Sequence, residues 1–169
     1  MEFIKRHKKT TLIAGATLIA LIIIIVVFSV VRSGSDKATE TPILEETGFQ
    51  TITPTGKPIS QLGGWQRISP LNTAPVYAYA DKIGDVVISV SEQPLPSSFD
   101  GDVENKVAQL ATAYSATNTL DAKGTKVYIG TSAKGPQSTI FTKNNLLILI
   151  KSQENIDNES WINYITSLR

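Results

Sequence analysis

Hydrophobic residues follow different patterns along this chain, and each pattern predicts a different kind of structure. Residues 11–31 form one uncharged apolar run that holds six Ile, three Leu, four Val and one Phe. A helix of 21 residues rises about 30 Å at about 1.5 Å per residue, which matches the hydrocarbon thickness of a bilayer. The run is therefore predicted to be a transmembrane helix, with the lipid bilayer as its partner.

The charges beside the apolar run predict its orientation. Residues 1–10 carry four basic side chains and one acidic side chain. Because Lys and Arg beside a membrane helix stay in the cytoplasm, we expect a cytoplasmic basic stub at residues 1–10 and a single-pass protein of the cell membrane with its C-terminal domain outside. A cleaved signal peptide and a pilin-like subunit are the alternatives, but Val31 and Arg32 match a cleavage site poorly.

Residues 32–60 have the composition of a flexible linker. They are rich in Thr, Ser, Glu, Gly and Pro, and bury too little apolar surface to offset the entropy of ordering. Ile43, Leu44, Phe49 and Ile52 interrupt this composition. The pattern leaves two interpretations open, because these four are either scattered apolar residues of a linker or a segment that docks on the following domain.

Residues 61–169 mix the two-residue period of strands with the spacing of helices, which predicts an extracytoplasmic α+β domain. A short strand or a turn is predicted at 65–71. Strands are predicted at 76–83, 86–92, 119–122, 126–132, 138–142 and 146–151, and helices at 102–115 and from residue 157 or 158 onward. Short loops favour a mainly antiparallel sheet, packed by the two helices. Residues 146–150 are apolar on both faces, so this strand is placed in the sheet interior with cover on each side, or near one end.

The strand at 76–83 supplies the candidate binding residues. Val76, Ala78 and Ala80 alternate with Tyr77 and Tyr79, so the two tyrosines share one face of the strand. With the small residues assigned to the core, Tyr77 and Tyr79 are predicted to be exposed together. They form a candidate patch for an envelope protein or peptide partner.

The outer domain lacks the residue types that most catalytic and metal-binding sites require. The chain has no cysteine, and its single histidine, His7, lies in the basic stub. This excludes a Ser-His-Asp triad, a Cys-His pair and ordinary zinc coordination in the domain. The S-x-x-K pattern is absent, and Asp100, Asp102 and Glu104 are assigned to the start of a helix rather than to a calcium loop. We predict no enzymatic activity, no cofactor and no metal.

Three segments of the outer domain carry a resemblance, LGGW at 62–65, VSEQPLP at 90–96 and KVYIG at 126–130. Through them the domain resembles uncharacterised single-pass envelope proteins of candidate-phylum bacteria such as Saccharibacteria. The similarity extends from about residue 60 to the C-terminus. The resemblance implies a bacterial membrane setting and transfers no catalytic residue to this chain.

The charge balance and the predicted anchor together narrow the function. From residue 32 onward there are twelve basic and fourteen acidic residues, so no broad basic face is available for phosphate backbones, and nucleic acid is not expected as a partner. We predict a membrane-anchored extracytoplasmic interaction or sensing module of unknown ligand. The alternatives are an envelope enzyme that uses carboxylate or Ser-Lys chemistry and a purely structural envelope protein.

Overall fold

Alternating apolar and polar side chains produce seven strands in a computed structural model that describes residues 50–169. The strands are β1 (Gly63–Arg67), β2 (Tyr77–Ile83), β3 (Val86–Pro94), β4 (Asn118–Ala122), β5 (Thr125–Thr131), β6 (Gln137–Lys143) and β7 (Leu146–Ser152). They form a seven-stranded sheet in the order β1-β2-β3-β7-β6-β5-β4, and each neighbouring pair is antiparallel. The predicted α+β class and mainly antiparallel sheet are confirmed.

Two α-helices cover opposite faces of the sheet. They are α1 (Val103–Ala113) and α2 (Asn158–Ser167). Ile140 and Phe141 are neighbours on β6 and point to opposite faces, and they belong to separate apolar clusters. Ile140 lies in the cluster that contains residues of α1, whereas Phe141 lies in the cluster that contains residues of α2. The sheet is therefore the middle of three layers, and the prediction of two helices that pack against it is confirmed.

Strand β7 lies at the centre of the sheet, between β3 and β6. Ile148 and Ile150 are fully buried on the face covered by α2, and Leu147 is 6% exposed on the face covered by α1. Both faces of β7 therefore lose contact with water. The interior placement inferred from the apolar residues at 146–150 is confirmed.

The N-terminal boundary of the domain lies earlier than the sequence predicts. Ile52 is only 2% exposed and belongs to the core. The Thr53 amide donates to the Arg169 carbonyl at 3.0 Å, and the Arg169 amide donates back to the Thr53 carbonyl at 2.9 Å. A linker that extends to residue 60 is therefore wrong, because the chain is already packed and hydrogen-bonded at Ile52. Of the two interpretations left open for Ile52, the structure has the docked one.

The predicted membrane helix at 11–31 and the apolar residues Ile43, Leu44 and Phe49 lie outside the described residues. Within residues 50–169, neither α1 nor α2 has the length and apolar character that a membrane crossing requires, and the search for such a helix finds none. The anchor therefore stays a prediction from the sequence.

Gly130 allows β5 to approach the connection between α1 and β4. A Cβ atom at this position would lie 2.6 Å from the Ser115 carbonyl oxygen and 3.0 Å from the Ala116 Cα. Because both are backbone atoms, neither can rotate away. Gly130→Ala is expected to lower the free energy of unfolding by about 1–3 kcal/mol, the usual range for overpacking, as measured by urea denaturation in detergent micelles.

The matched control for Gly130→Ala is Gly63→Ala on β1. A Cβ there would meet the Ala80 Cβ at 3.4 Å, the short limit of ordinary contact. We expect the free energy of unfolding of this variant to be close to that of the parent protein. Equal losses in the two variants would contradict the steric explanation for Gly130.

Candidate functional site

The structure separates the two tyrosines that the sequence places together on the surface. Tyr79 is 2% exposed and belongs to the core beneath α2, whereas Tyr77 is half-buried. Tyr79 pairs with Val90 of β3, which is fully buried, so the tyrosine side of β2 faces the core. The predicted exposure of Tyr79 is wrong. Tyr79 is buried because α2 covers its side of the sheet. Ala78, on the other side of β2, is buried as well.

Tyr77 instead forms an aromatic pair with Trp65 at the edge of the sheet. The two rings are stacked with centroids 5.0 Å apart and an angle of 6° between their planes. Trp65 also lies 5.8 Å from the Tyr79 ring at a tilt of 41°. The β1–β2 register shifts between Gly63 and Gln66, and Trp65 lies within this irregularity. The sequence does not predict that the Trp65 and Tyr77 rings stack, because the pattern of residues 65–71 does not define a pairing register.

The loop that joins β1 to β2 presents an apolar side chain to water. Leu71 is 86% exposed, the large hydrophobic residue most open to solvent within residues 50–169. The Arg67 guanidinium fixes the loop, since its Nη2 donates to the carbonyls of Pro70 at 3.0 Å and Thr73 at 2.9 Å. Arg67 also pairs with Tyr77 across the strands, so the loop begins beside the aromatic pair. We call Trp65, Leu71 and Tyr77 the β1 edge patch.

A buried carboxyl group lies on the same face of the sheet, further inside. Glu92 of β3 is 0% exposed, and its Oε2 accepts a hydrogen bond from the Ile52 amide at 3.2 Å. Its Oε1 has no hydrogen-bond partner within the described residues. Burial raises the pKa of Glu92 from 4.5 to about 8, although the Ile52 amide acts in the opposite direction. Glu92 is therefore mostly neutral at pH 7.

Further polar groups extend from Glu92 towards the surface. The Tyr79 hydroxyl donates to the Ile52 carbonyl at 3.4 Å, and the Tyr164 hydroxyl of α2 donates to Asp81 Oδ2 at 3.1 Å. The Lys57 ammonium forms an ion pair with Asp81 Oδ1 at 2.7 Å. Burial raises the pKa of both tyrosines, so their hydroxyls stay neutral. We call Glu92, Tyr79, Tyr164, Asp81 and Lys57 the Glu92 cluster.

Asp102 and Glu104, at the start of α1, make local polar contacts. Asp102 occupies the N-cap position of α1, but its side chain accepts from Asn105 Nδ2 at 2.7 Å and makes no capping bond to the helix amides. Glu104 forms an exposed ion pair with Lys126 at 2.7 Å. Within residues 50–169, no group of three or more His, Cys, Asp or Glu side chains is placed to hold a metal ion.

A shallow groove of about 380 Å³ lies where the N-terminal segment meets the C-terminus. It is lined by residues 53–58 and Arg169, so its charged side chains are those of Lys57 and Arg169. An enzyme that uses carboxylate chemistry needs acidic side chains in its cleft, and this groove does not have that lining.

No family model, curated protein or solved structure matches this chain. Two local features of the domain bear on its function, the β1 edge patch and the Glu92 cluster. The first includes the exposed side chain of Leu71, and the second is centred on a buried carboxyl group.

Proposed function

We propose that this protein is a membrane-anchored extracytoplasmic interaction module that binds an extended segment of a protein or peptide through the β1 edge patch. The uncharged run at 11–31 and the basic residues before it support the anchor and its orientation. The observation that carries the binding proposal is Leu71, which is 86% exposed on a loop already fixed by Arg67.

The β1 edge patch has three properties of a binding surface. Its loop is ordered before any partner arrives, because Arg67 holds the carbonyls of Pro70 and Thr73, so little conformational entropy is lost on binding. Trp and Tyr are frequent among residues that dominate binding energy. The patch also borders β1, an edge strand of the sheet, where an extended segment can add as a further strand.

The enzyme alternative has one observation in its favour, since strongly shifted pKa values are common in active sites. Glu92 is such a residue, but its side chain is 0% exposed and the Ile52 backbone covers it. A carboxyl that substrate cannot touch cannot act as its general acid or base. The accessible patch therefore supports binding better than the buried carboxyl supports catalysis.

A single-cysteine experiment tests both the compartment and the patch. Because the chain has no cysteine, Leu71→Cys provides one thiol at an exposed position. We expect a membrane-impermeant maleimide to label it in intact spheroplasts. We also expect an impermeant maleimide that carries a photoreactive group to capture a defined partner there. Labelling that occurs only after lysis would contradict the proposed orientation.

The matched control is Gln109→Cys, which places the thiol on the exposed side of α1. This position should be labelled equally but should not capture the same partner. Trp65→Ala in the Leu71→Cys background is expected to reduce capture about tenfold or more, the effect of losing a dominant binding residue. Equal capture from positions 71 and 109, or capture that survives Trp65→Ala in a protein shown to be folded, would contradict the binding proposal.

A further inference from the structure

We propose that Glu92 is a proton-operated latch that fastens the N-terminal segment, residues 50–57, to the rest of the domain. In the closed form the neutral carboxyl lies under the segment and accepts the Ile52 amide. When the segment opens, water reaches the carboxyl and the proton leaves to solvent. Acid therefore favours the closed segment, and neutral or alkaline conditions favour its release.

We call residues 50–57 the strap, because this segment crosses one end of the domain. Its contacts reach β3 through Ile52, the C-terminal residues through Thr53 and Thr55, and β2 through Lys57. The Thr55 amide donates to the Ser167 carbonyl at 2.8 Å, beside the pair of bonds between Thr53 and Arg169. Every one of these contacts belongs to the segment itself, so they can be lost without breaking a strand pair of the seven-stranded sheet.

Ile52 connects the strap directly to the buried carboxyl. Its side chain is 2% exposed in the core, its amide donates to Glu92 Oε2, and its carbonyl accepts from the Tyr79 hydroxyl at 3.4 Å. Glu92 Oε1 lies buried without a hydrogen-bond partner in the described residues. An ionised carboxylate at this position needs more hydrogen bonds than the closed form supplies, and opening the strap lets water supply them.

The side chains opposite Glu92 on the two neighbouring strands carry no positive charge. Its partners are Tyr77 on β2 and Ile148 on β7, and Tyr79 of β2 lies beside it. Tyr164 of α2 lies against Tyr79 and Asp81. Arg67 lies on the same side of the sheet, one strand beyond Tyr77. In the segment, the charge of Lys57 is directed to Asp81, at 2.7 Å. The cost of burying a charge on Glu92 is therefore not offset by an ion pair.

The direction of the pH effect follows from proton linkage. The closed form holds the Glu92 proton up to a pKa of about 8, whereas the hydrated carboxyl has a pKa near 4.5. Between these values opening releases one proton, so the equilibrium constant for opening rises as pH rises. Below about 4.5 and above about 8 the two forms carry the same charge on Glu92, and this dependence disappears.

Release of the strap would lengthen the tether between the membrane and the domain. This consequence rests on the proposed membrane anchor. Freeing residues 52–57 adds at most about 20–22 Å of extended chain between the predicted anchor and the domain. Release also removes the cover over Tyr79, which contacts Trp65 of the β1 edge patch. Proton binding would therefore regulate both the reach of the domain and the support of its binding surface.

Hydrogen exchange of the full chain in detergent micelles tests the latch. After correction for intrinsic exchange rates, protection of the Ile52, Thr53, Thr55 and Lys57 amides is expected to fall at least tenfold from pH 5.5 to 7.5. The same amides should exchange faster than those of β7 at pH 7.5, because the strap opens without global unfolding. Glu92→Gln keeps the shape but cannot ionise, so its protection should change less than twofold.

Two results would overturn the latch. One is the same pH dependence in the parent protein and in Glu92→Gln; the other is protection of residues 50–57 equal to that of β7. If Glu92→Gln does not fold, the parent protein still decides the question, because protection that is constant from pH 5.5 to 7.5 would also overturn it. The single histidine, His7, lies outside residues 50–169, so no histidine of the domain contributes to the pH dependence between pH 5.5 and 7.5. Neither readout requires a bilayer or a partner, so failure here is distinguishable from failure of the cysteine experiment.

Discussion

Trp161→Ala is expected to lower the free energy of unfolding by about 3–5 kcal/mol, the usual range for deleting a large buried aromatic side chain. Trp161 of α2 is 0% exposed and is the largest fully buried side chain in the described domain. Its Nε1 donates to Gln137 Oε1 of β6 at 2.9 Å. The substitution therefore leaves a cavity and removes a bond between α2 and the sheet. Domains of this size are commonly stable by only about 5–15 kcal/mol, so the loss is a large share.

Urea denaturation followed by circular dichroism measures this loss, with two variants as references. Trp161→Phe keeps most of the apolar volume but cannot donate to Gln137, so it should lose less than Trp161→Ala. Leu71→Ala removes a side chain that is 86% exposed and should be close to the parent protein. A Trp161→Ala protein as stable as Leu71→Ala would show that α2 does not depend on this contact.

The free energy of unfolding is expected to fall as pH rises from about 4.5 to about 8, by about 1.4 kcal/mol for each pH unit inside that window. The pKa of Glu92 is raised in the folded protein, so the folded state holds a proton that the unfolded state has released. Its stabilising contribution is complete below the unfolded pKa and is lost as pH approaches the folded pKa. The total reaches several kcal/mol because the carboxyl is fully buried.

Glu92→Gln is the matched variant for this pH dependence. The amide has nearly the same shape and cannot ionise, so its stability should be much flatter between pH 4.5 and 8. The free energies of unfolding of the two proteins should differ little at pH 5. At pH 8.5 the variant should have the larger free energy of unfolding. Parallel curves for the two proteins would contradict the assignment of the pH dependence to Glu92.

Several elements could be predicted from the sequence because one physical signal determines each of them. The uninterrupted apolar residues at 146–150 require cover on both faces, and β7 has it. The turn at Gly84 and Asp85 joins two alternating segments into the antiparallel pair β2 and β3. Asp157 precedes an apolar stripe at helical spacing, and its carboxylate accepts the Ser160 amide at 2.8 Å as α2 begins.

The candidate site could not be predicted in the same way, because alternation assigns residues to faces without identifying which face is covered. Both sides of β2 carry buried residues, so the small size of Ala78 wrongly suggested that Tyr79 lies outside. Docking of Ile52 depends on pairing with the far end of the chain, about 115 residues away, which no local pattern encodes.

The burial of Glu92 had a signal that composition-based reasoning missed. Val86, Ile88 and Val90 follow one face of β3, and Glu92 is the next residue on that face. A carboxyl that continues an apolar series points into the core unless the strand ends before it. Its register also places Tyr77 opposite, which links the buried cluster to the β1 edge patch.

The antiparallel bridge between Pro54 and Leu168 also determines how the domain would respond to mechanical force. The chain enters before residue 54 and ends after residue 168 at the same end of this bridge, as in the open end of a hairpin. Tension applied between these two ends would load the Thr53–Arg169 and Thr55–Ser167 hydrogen bonds one after another, an unzipping geometry that resists little force. Apart from the Ile52–Glu92 bond to β3, which lies ahead of this pairing, the seven-stranded sheet would carry that tension only after the pairing had separated.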